Sequence, residues 1–522
     1  MRRFAALLDR LAFTPARTDK LRLITAYLAE APDPDRGWAL AALTGELSLG
    51  RVTPARLREM VGARVDPVLF ALSYDFVGDL AETIALIWPG PDAAVDDGGD
   101  LALGAVIARL EGLTRAEVPG AMAGLLDSLP PAARYALLKL ATGGLRVGVS
   151  AGLAKAALAQ FSGRPVEEIV ELWHGLSPPY AALFDWFRGG EKPVNALAAP
   201  FRPVMLSTPI DAEGLAPLPP GDYIAEWKWD GIRVQAVAEG TVRRLWSRTG
   251  EDISGAFPDL VAAMGFDGAL DGELLVRRDG AVGSFADLQQ RLNRKTVSRA
   301  LMTRLPAMLR AYDLLSEGET DLRPLSQEAR RARLERFLAP LNPARFDLSA
   351  EVPFASWEEL AAARAAPPEA LVEGVMIKRR DTPYRAGRPR GPWFKWKRDP
   401  FLVDAILLYA QRGHGKRSGY YSDYTFGVWR GAEIVPVGKA YFGFTDAELR
   451  RIDRFVREAT VDRFGPVRAV RPELVLEIAF EGLNRSSRHK SGIAMRFPRV
   501  NRIRWDKPAA QADTLETLEA LL

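Results

Sequence analysis

The chain is sparing with lysine, having 13 lysines against 57 arginines. Three of those lysines sit in two short aromatic runs, Lys228 in 226-EWKWDGIR-233 and Lys395 and Lys397 in 393-WFKWKRD-399. A neutral lysine amine is a nucleophile and its ammonium is a compact charge for phosphate, whereas arginine stays protonated and offers only the second property. Biased composition explains the arginines but not where the lysines fall. With an ordinary pKa of ~10.4, a nucleophilic lysine needs desolvation and nearby cations to lose its proton near neutrality. Strand parity puts Glu226 and Lys228 on one face, and Lys395 and Lys397 on one face of their own strand. The blander reading is a lysine on a surface hairpin and two on a solvated edge. It is credible for each alone and less so for three among aromatics.

Other chemistries are excluded by composition. No cysteine is present, which removes disulfides, thiolate catalysis, iron–sulfur clusters and thiolate zinc sites. Only His174, His414 and His489 remain for a histidine-built metal site, which is too few. No apolar run approaches the ~20 residues of a membrane span, and the N-terminal apolar run ends at Asp9, too short for a signal-peptide core. A cytoplasmic protein, with no membrane partner, is therefore expected.

Positioning these residues takes several domains, because 522 residues exceed what one core usually serves. Phe4, Leu7, Leu8 and Leu11 fall at helical spacing, and Thr18 and Ser150 read as N-caps. The loop 142-TGGLRVGV-149 feeds the second of these helices. Its backbone amides suit a phosphate, although from this segment alone an ordinary interhelical turn is the better reading. After the proline-broken stretch 193–210, short β-rich runs dominate up to Asp399, interrupted by helical segments 284–292 and 326–338. Asp230-Gly231 is a turn signal directly after the Lys228 strand. Beyond Pro400 the strands are shorter and evenly spaced, with a helix at 446–459, as in a small barrel. The expectation is a multidomain chain with an all-α N-terminal domain (1–200), an α+β domain with antiparallel sheets (201–399) and a C-terminal OB-fold β-barrel (400–522).

The ordered set Lys228, Arg248 in 247-SRTGEDIS-254, Glu273 in 271-DGELLV-276, Tyr312 in 311-AYDLL-315, Glu373 in 373-EGVMIK-378, Lys395 and Lys397, and finally 495-MRFPRVNRIRWDK-507 resembles the ATP-dependent DNA ligases. These are covalent nucleotidyltransferases, a superfamily that also includes RNA ligases and mRNA capping enzymes. The resemblance covers about residues 200 to 507, and the helical N-terminal part, with RVGVSAGLA, is similar to the DNA-binding domain of the larger ligases. It implies that Lys228 is the nucleophile that takes AMP from ATP. Tyr312 then stacks on the adenine, Glu226 lies beside the base, and Arg233 and Arg248 touch ribose or phosphate. Glu273 sits near the ribose hydroxyls, and Lys395 and Lys397 hold the α-phosphate. Glu373, with Glu273, associates with Mg2+ or Mn2+, and Arg496, Arg499, Arg504 and Lys507 orient the departing pyrophosphate.

The family carries a further arginine before the Lys395 strand. Arg388 and Arg390 both qualify, and Arg390 is chosen. Strict alternation puts Glu373 and Lys378 on opposite faces unless the strand is bulged, so Lys378 is left out. A chain without cysteine cannot build the zinc module of NAD-dependent ligases, and the terminal basic motif argues for ATP. The expected partner is nicked double-stranded DNA, bound by a monomer through charge. The segment 378–399 alone carries nine basic and two acidic residues. The rival readings are an RNA ligase or capping-type guanylyltransferase, and a catalytically silent nucleic-acid-binding scaffold.

Overall fold

The computed structural model describes all residues except 48, 50, 51, 91–100, 115, 144, 196, 279, 293, 295, 370, 413–419, 442–444, 487 and 488. An all-helical region from Arg2–Phe13 to Ala181–Phe187 is followed by a sheet-rich region and a C-terminal β domain, in the order read from the sequence. Among the described residues no helix is long and apolar enough to cross a membrane. The chain forms two compact units. One joins Met1–Gly163, Pro178–Ala181 and Pro400–Leu522, and the other joins Arg164–Ser177 to Ala182–Asp399.

In the first unit the helical periodicity is realised as burial: Phe4, Leu7, Leu8 and Leu11 are all inside. Ser150 caps the helix Ala151–Ser162, its Oγ accepting from the Leu153 amide at 3.2 Å. Thr18 does not act as a cap. The N-cap of the helix Arg17–Glu30 is Ala16, two residues earlier, with no side-chain cap, and buried Ile24, Tyr27 and Leu28 hold the helix instead. Lys20 of this helix reaches the RVG loop, donating from Nζ to the carbonyls of Val147 (2.5 Å) and Gly148 (3.0 Å).

In the same unit the strand Phe401–Arg412 pairs with Tyr421–Arg430 and with Val475–Phe480. Val403, Leu407, Phe426, Leu476 and Ile478 fill the barrel. The helix Asp446–Ala459 starts at a Thr445/Glu448 capping box and adds Ile452 and Val456 to that core.

Among the described residues the second unit carries eleven strands: β1 Thr208–Pro209, β2 Tyr223–Trp229, β3 Ile232–Glu239, β4 Val242–Ser247, β5 Gly268–Arg278, β6 Ala281–Val282, β7 Ala307–Glu317, β8 Thr320–Asp321, β9 Phe346–Leu348, β10 Val372–Arg379 and β11 Trp393–Lys397. They form two sheets, one ordered β1-β11-β10-β2 and the other β4-β3-β5-β7-β8 with β6 and β9 attached. Asp230-Gly231 therefore does not close a hairpin. It carries the chain from one sheet to the other, because β2 pairs with β10 while β3 pairs with β4 and β5. Glycine is required at 231, since a Cβ there would lie 2.5 Å from the Leu274 carbonyl and 2.8 Å from Cγ of Glu273.

The large sheet buries Leu270, Leu274, Leu309 and Leu314 on one face, each contributing about 1.5–3 kcal/mol. Trp246, Ala269, Leu315 and Trp393 form a second cluster with residues of both sheets. Alternation along each strand then leaves polar residues of the two sheets to share one cleft.

Candidate active site

Register alone brings the lysines together. On the small sheet Gly374 of β10 lies between Lys228 and Lys397, and Met376 lies between Glu226 and Lys395. Glu226, Lys228, Lys378, Lys395 and Lys397 thus share one face. The register slips between Val372 and Gly374, making Glu373 the extra residue of a bulge. Gly374 permits the bulge with φ of 145°, and a Cβ there would sit 2.2 Å from the Trp396 carbonyl. The bulge lets the Glu373 carboxylate accept a hydrogen bond from Lys228 Nζ, with Lys397 Nζ 3.7 Å away. It also resolves the parity conflict, since Lys378 lines the same cleft. Its Nζ donates to Glu226 at 3.0 Å and stands 4.6 Å from the Tyr312 ring centre and 4.8 Å from that of Trp393.

The large sheet supplies the other wall. Arg233 faces Glu273 across β3 and β5, and its guanidinium grips Asp271 through two nitrogens at 3.1 and 2.7 Å. Fully buried Asp271 also accepts from the hydroxyls of Tyr312 (3.2 Å) and Tyr384 (2.7 Å). Arg233 is further engaged by the Met205 carbonyl at 2.7 Å. In this arrangement it braces the cleft floor and the Tyr312 ring. Asp271 was missed from sequence, although it stands two residues before Glu273 and parity could have found it.

Electrostatics separate the carboxylates. Burial pushes Glu273 up to about 7; the charges of Lys228 and Arg233 oppose this while Glu373 and Asp230 reinforce it. Glu373 is held below the usual range, because against the cost of burial it has the charge and hydrogen bond of Lys228 and the charge of Lys397. Lys395 is lowered, first by burial and then by the repulsion of Lys397, Lys228, Arg388 and Arg248. Exposed Arg248 and Arg388 therefore add to the cationic field at the cleft. Burial raises the Tyr312 phenol well above its ordinary value, keeping it neutral.

The C-terminal cations belong to the other unit. Arg504 (3.2 Å) and Lys507 (2.7 Å) converge on one oxygen of Asp404. Arg496 ends a separate two-stranded hairpin, and Arg499 begins the strand that pairs with Val475–Phe480. Arg390 is exposed in the loop before β11.

A lysine against an ionised carboxylate, with three more lysines on its face and a neutral tyrosine ring nearby, defines a nucleotidyltransferase cleft suited to a polyphosphate and a planar base. The comparisons with known proteins agree. A family model described as "ATP dependent DNA ligase domain" matches residues 204–397, and one described as "ATP dependent DNA ligase C terminal region" matches 417–507. A "Probable DNA ligase" of Koribacter versatilis is 32% identical, covering all of this chain and 96% of its own. One of Anaeromyxobacter sp. (strain K) is 33% identical over 98% of this chain and 97% of its own. The chain belongs to the ATP-dependent DNA ligase family. The solved structure Pmar-Lig_PreS3 shares the fold, with a TM-score of 0.61 at 16% identity over 96% of this chain and 99% of that one.

Proposed function

We propose that the chain seals 5′-phosphate/3′-hydroxyl nicks in duplex DNA through a lysyl-AMP on Lys228 and then a DNA-adenylate. The observation that carries this reading is the pairing of Lys228 with Glu373 on the face that also presents Lys395 and Lys397. The Lys228 ammonium passes its proton to the Glu373 carboxylate that it hydrogen-bonds, and the neutral Nζ attacks the α-phosphorus of ATP. A P–N bond forms as the P–O bond to pyrophosphate breaks. The 5′-phosphate of the nick then takes the AMP from the lysine, and the 3′-hydroxyl displaces AMP to close the backbone.

Lys395 and Lys397 hold the α-phosphate, and the same field stabilises charge that builds on its oxygens. Tyr312, its hydroxyl tied to Asp271, offers a fixed ring to the base. Among the described residues no donor hydrogen-bonds the Glu273 carboxylate, which suits it to accept from a ribose hydroxyl. Arg233 sets the floor, and Arg248 with one of Arg388 and Arg390 contributes from the rim; the charge of Arg388 acts on Lys395 and favours that residue. Arg496, Arg499, Arg504 and Lys507 orient pyrophosphate.

The donor set also fits magnesium in part. Among the described residues no three His, Asp or Glu form a metal site, so Glu373 and Glu273 would hold the ion together with phosphate oxygens. Bound there, it would neutralise phosphate charge.

The test is labelling with α-labelled ATP or GTP, followed by denaturation. ATP is expected to leave label on wild type and none on Lys228→Ala, and wild-type enzyme first stripped of AMP should seal nicked duplexes with ATP but not NAD. Preferential labelling by GTP, or label retained by Lys228→Ala, overturns the reading.

A further inference from the structure

The helix Gln327–Leu338 carries two adjacent arginines that tie the cleft together. Fully buried Arg330 binds Asp313, next to Tyr312, at 2.7 and 3.0 Å. Arg331 turns to the small sheet, where Nη1 donates to Oε1 of Glu226 at 3.1 Å and Nη2 to the Ser349 carbonyl at 2.7 Å. Lys378 donates to the same Oε1 at 3.0 Å. Side-chain exposures are 8% for Arg331, 2% for Glu226 and 1% for Lys378, so one buried carboxylate oxygen carries two cations.

We infer that Arg331 is a positioning residue for nucleotide selection, acting through Glu226. This rests on the placing of Glu226 beside the base. Both hydrogen bonds to the carboxylate use Oε1, and among the described residues no donor occupies Oε2. An ionised carboxylate only accepts, so Oε2 can read a donor such as an exocyclic amine on a purine. Which way it reads depends on the carboxylate's rotation. Two cations on one oxygen fix that rotation, whereas Lys378 alone can draw both oxygens to itself and remove the free acceptor.

Arg331 also anchors the segment around Ser349, whose Val352 amide donates to the Ala225 carbonyl at 2.7 Å, one residue from Glu226. The outer side of Arg331 meets Glu335 at 3.3 Å and Glu351 at 3.7 Å, at a surface cavity of about 190 Å³ also lined by Glu328 and Arg380. Water from that cavity can replace a truncated Arg331 side chain, so the substitution spares the apolar core.

The experiment uses the full chain, Arg331→Met and Arg331→Lys, with lysine labelling measured against concentration for ATP and for purine riboside 5′-triphosphate, which lacks the amine. Arg331→Met is expected to raise KM for ATP about tenfold with kcat within threefold, and to lower the preference for ATP over the amine-free triphosphate by about the same factor. Arg331→Lys is expected to recover part of that preference. Thermal midpoints are recorded in parallel; if Arg331→Met does not fold, the preference shown by Arg331→Lys decides. A purely structural role lowers labelling by both triphosphates equally, and that result, or an unchanged preference, overturns the inference alone. A wild type that labels with neither triphosphate overturns the proposed function and this inference with it.

Discussion

Glu273 links the chemistry of the cleft to the stability of the protein. Its carboxyl is raised from 4.5 to about 7, chiefly by burial. A carboxyl whose folded pKa lies above its unfolded one holds its proton more tightly in the folded state. Its contribution is fully favourable below pH 4.5, is lost as pH rises to about 7, and stays lost above that. At ~1.4 kcal/mol per pH unit, the ceiling on that loss is about 3 kcal/mol. Because Glu273 keeps some solvent contact in the cleft, about 2 kcal/mol is the working figure.

Glu273→Gln copies the protonated carboxyl in shape and cannot ionise. In enzyme stripped of AMP by pyrophosphate, the variant is expected to match wild type at pH 5 and to exceed it at pH 8.5. For a unit of this size, 2 kcal/mol is worth about 4–8 °C in Tm. Adenylylation should fall in the same variant, because the neutral amide is a poorer acceptor for a ribose hydroxyl. A Tm difference that is the same at both pH values, or a variant less stable at pH 8.5, refutes the account of Glu273.

Arg330→Met leaves Asp313 charged in a site where both partners are fully buried, and is expected to cost about 3–5 kcal/mol, read by urea unfolding, while Arg330→Met with Asp313→Leu recovers much of it. Lys20→Met removes both hydrogen bonds to the RVG loop and should weaken binding of nicked duplex about tenfold in a gel-shift assay, leaving lysine labelling with ATP unchanged. Asp404→Ala takes away the carboxylate shared by Arg504 and Lys507. It should slow adenylylation by ATP about tenfold, with sealing of a pre-adenylated nick retained.

The parts of this molecule legible in sequence are those governed by local periodicity. Burial of Phe4, Leu7, Leu8 and Leu11, the Ser150 cap and the helix at 446–459 all follow from spacing and end chemistry. The shared face of Lys395 and Lys397 follows from strand parity, and their register beside Lys228 extends it across β10. What escaped was set by pairing between distant segments. Asp230-Gly231 has the composition of a hairpin turn, yet β2 finds its partner in β10, so the same dipeptide joins two sheets. Lys378 falls on the wrong face when alternation runs unbroken through Glu373, where one bulged residue reverses the parity of everything after it.

That bulge also explains why the cleft tolerates so many like charges. It turns Glu373, a carboxylate held below its ordinary range, toward Lys228 and Lys397 while its neighbour Glu273 is driven toward neutrality. A regular strand would send Glu373 to the opposite face and deprive Lys228 of its paired carboxylate, while Glu226 is already bound by Lys378 and Arg331. Gly374 is the residue that permits the bulge, at a φ of 145° where any side chain would meet the Trp396 carbonyl. Gly374→Ala, far smaller than any change to a charged group, is therefore expected to abolish lysine labelling by removing Glu373 from Lys228. A variant that folds and still labels at the wild-type rate would show that the lysines do not need this carboxylate.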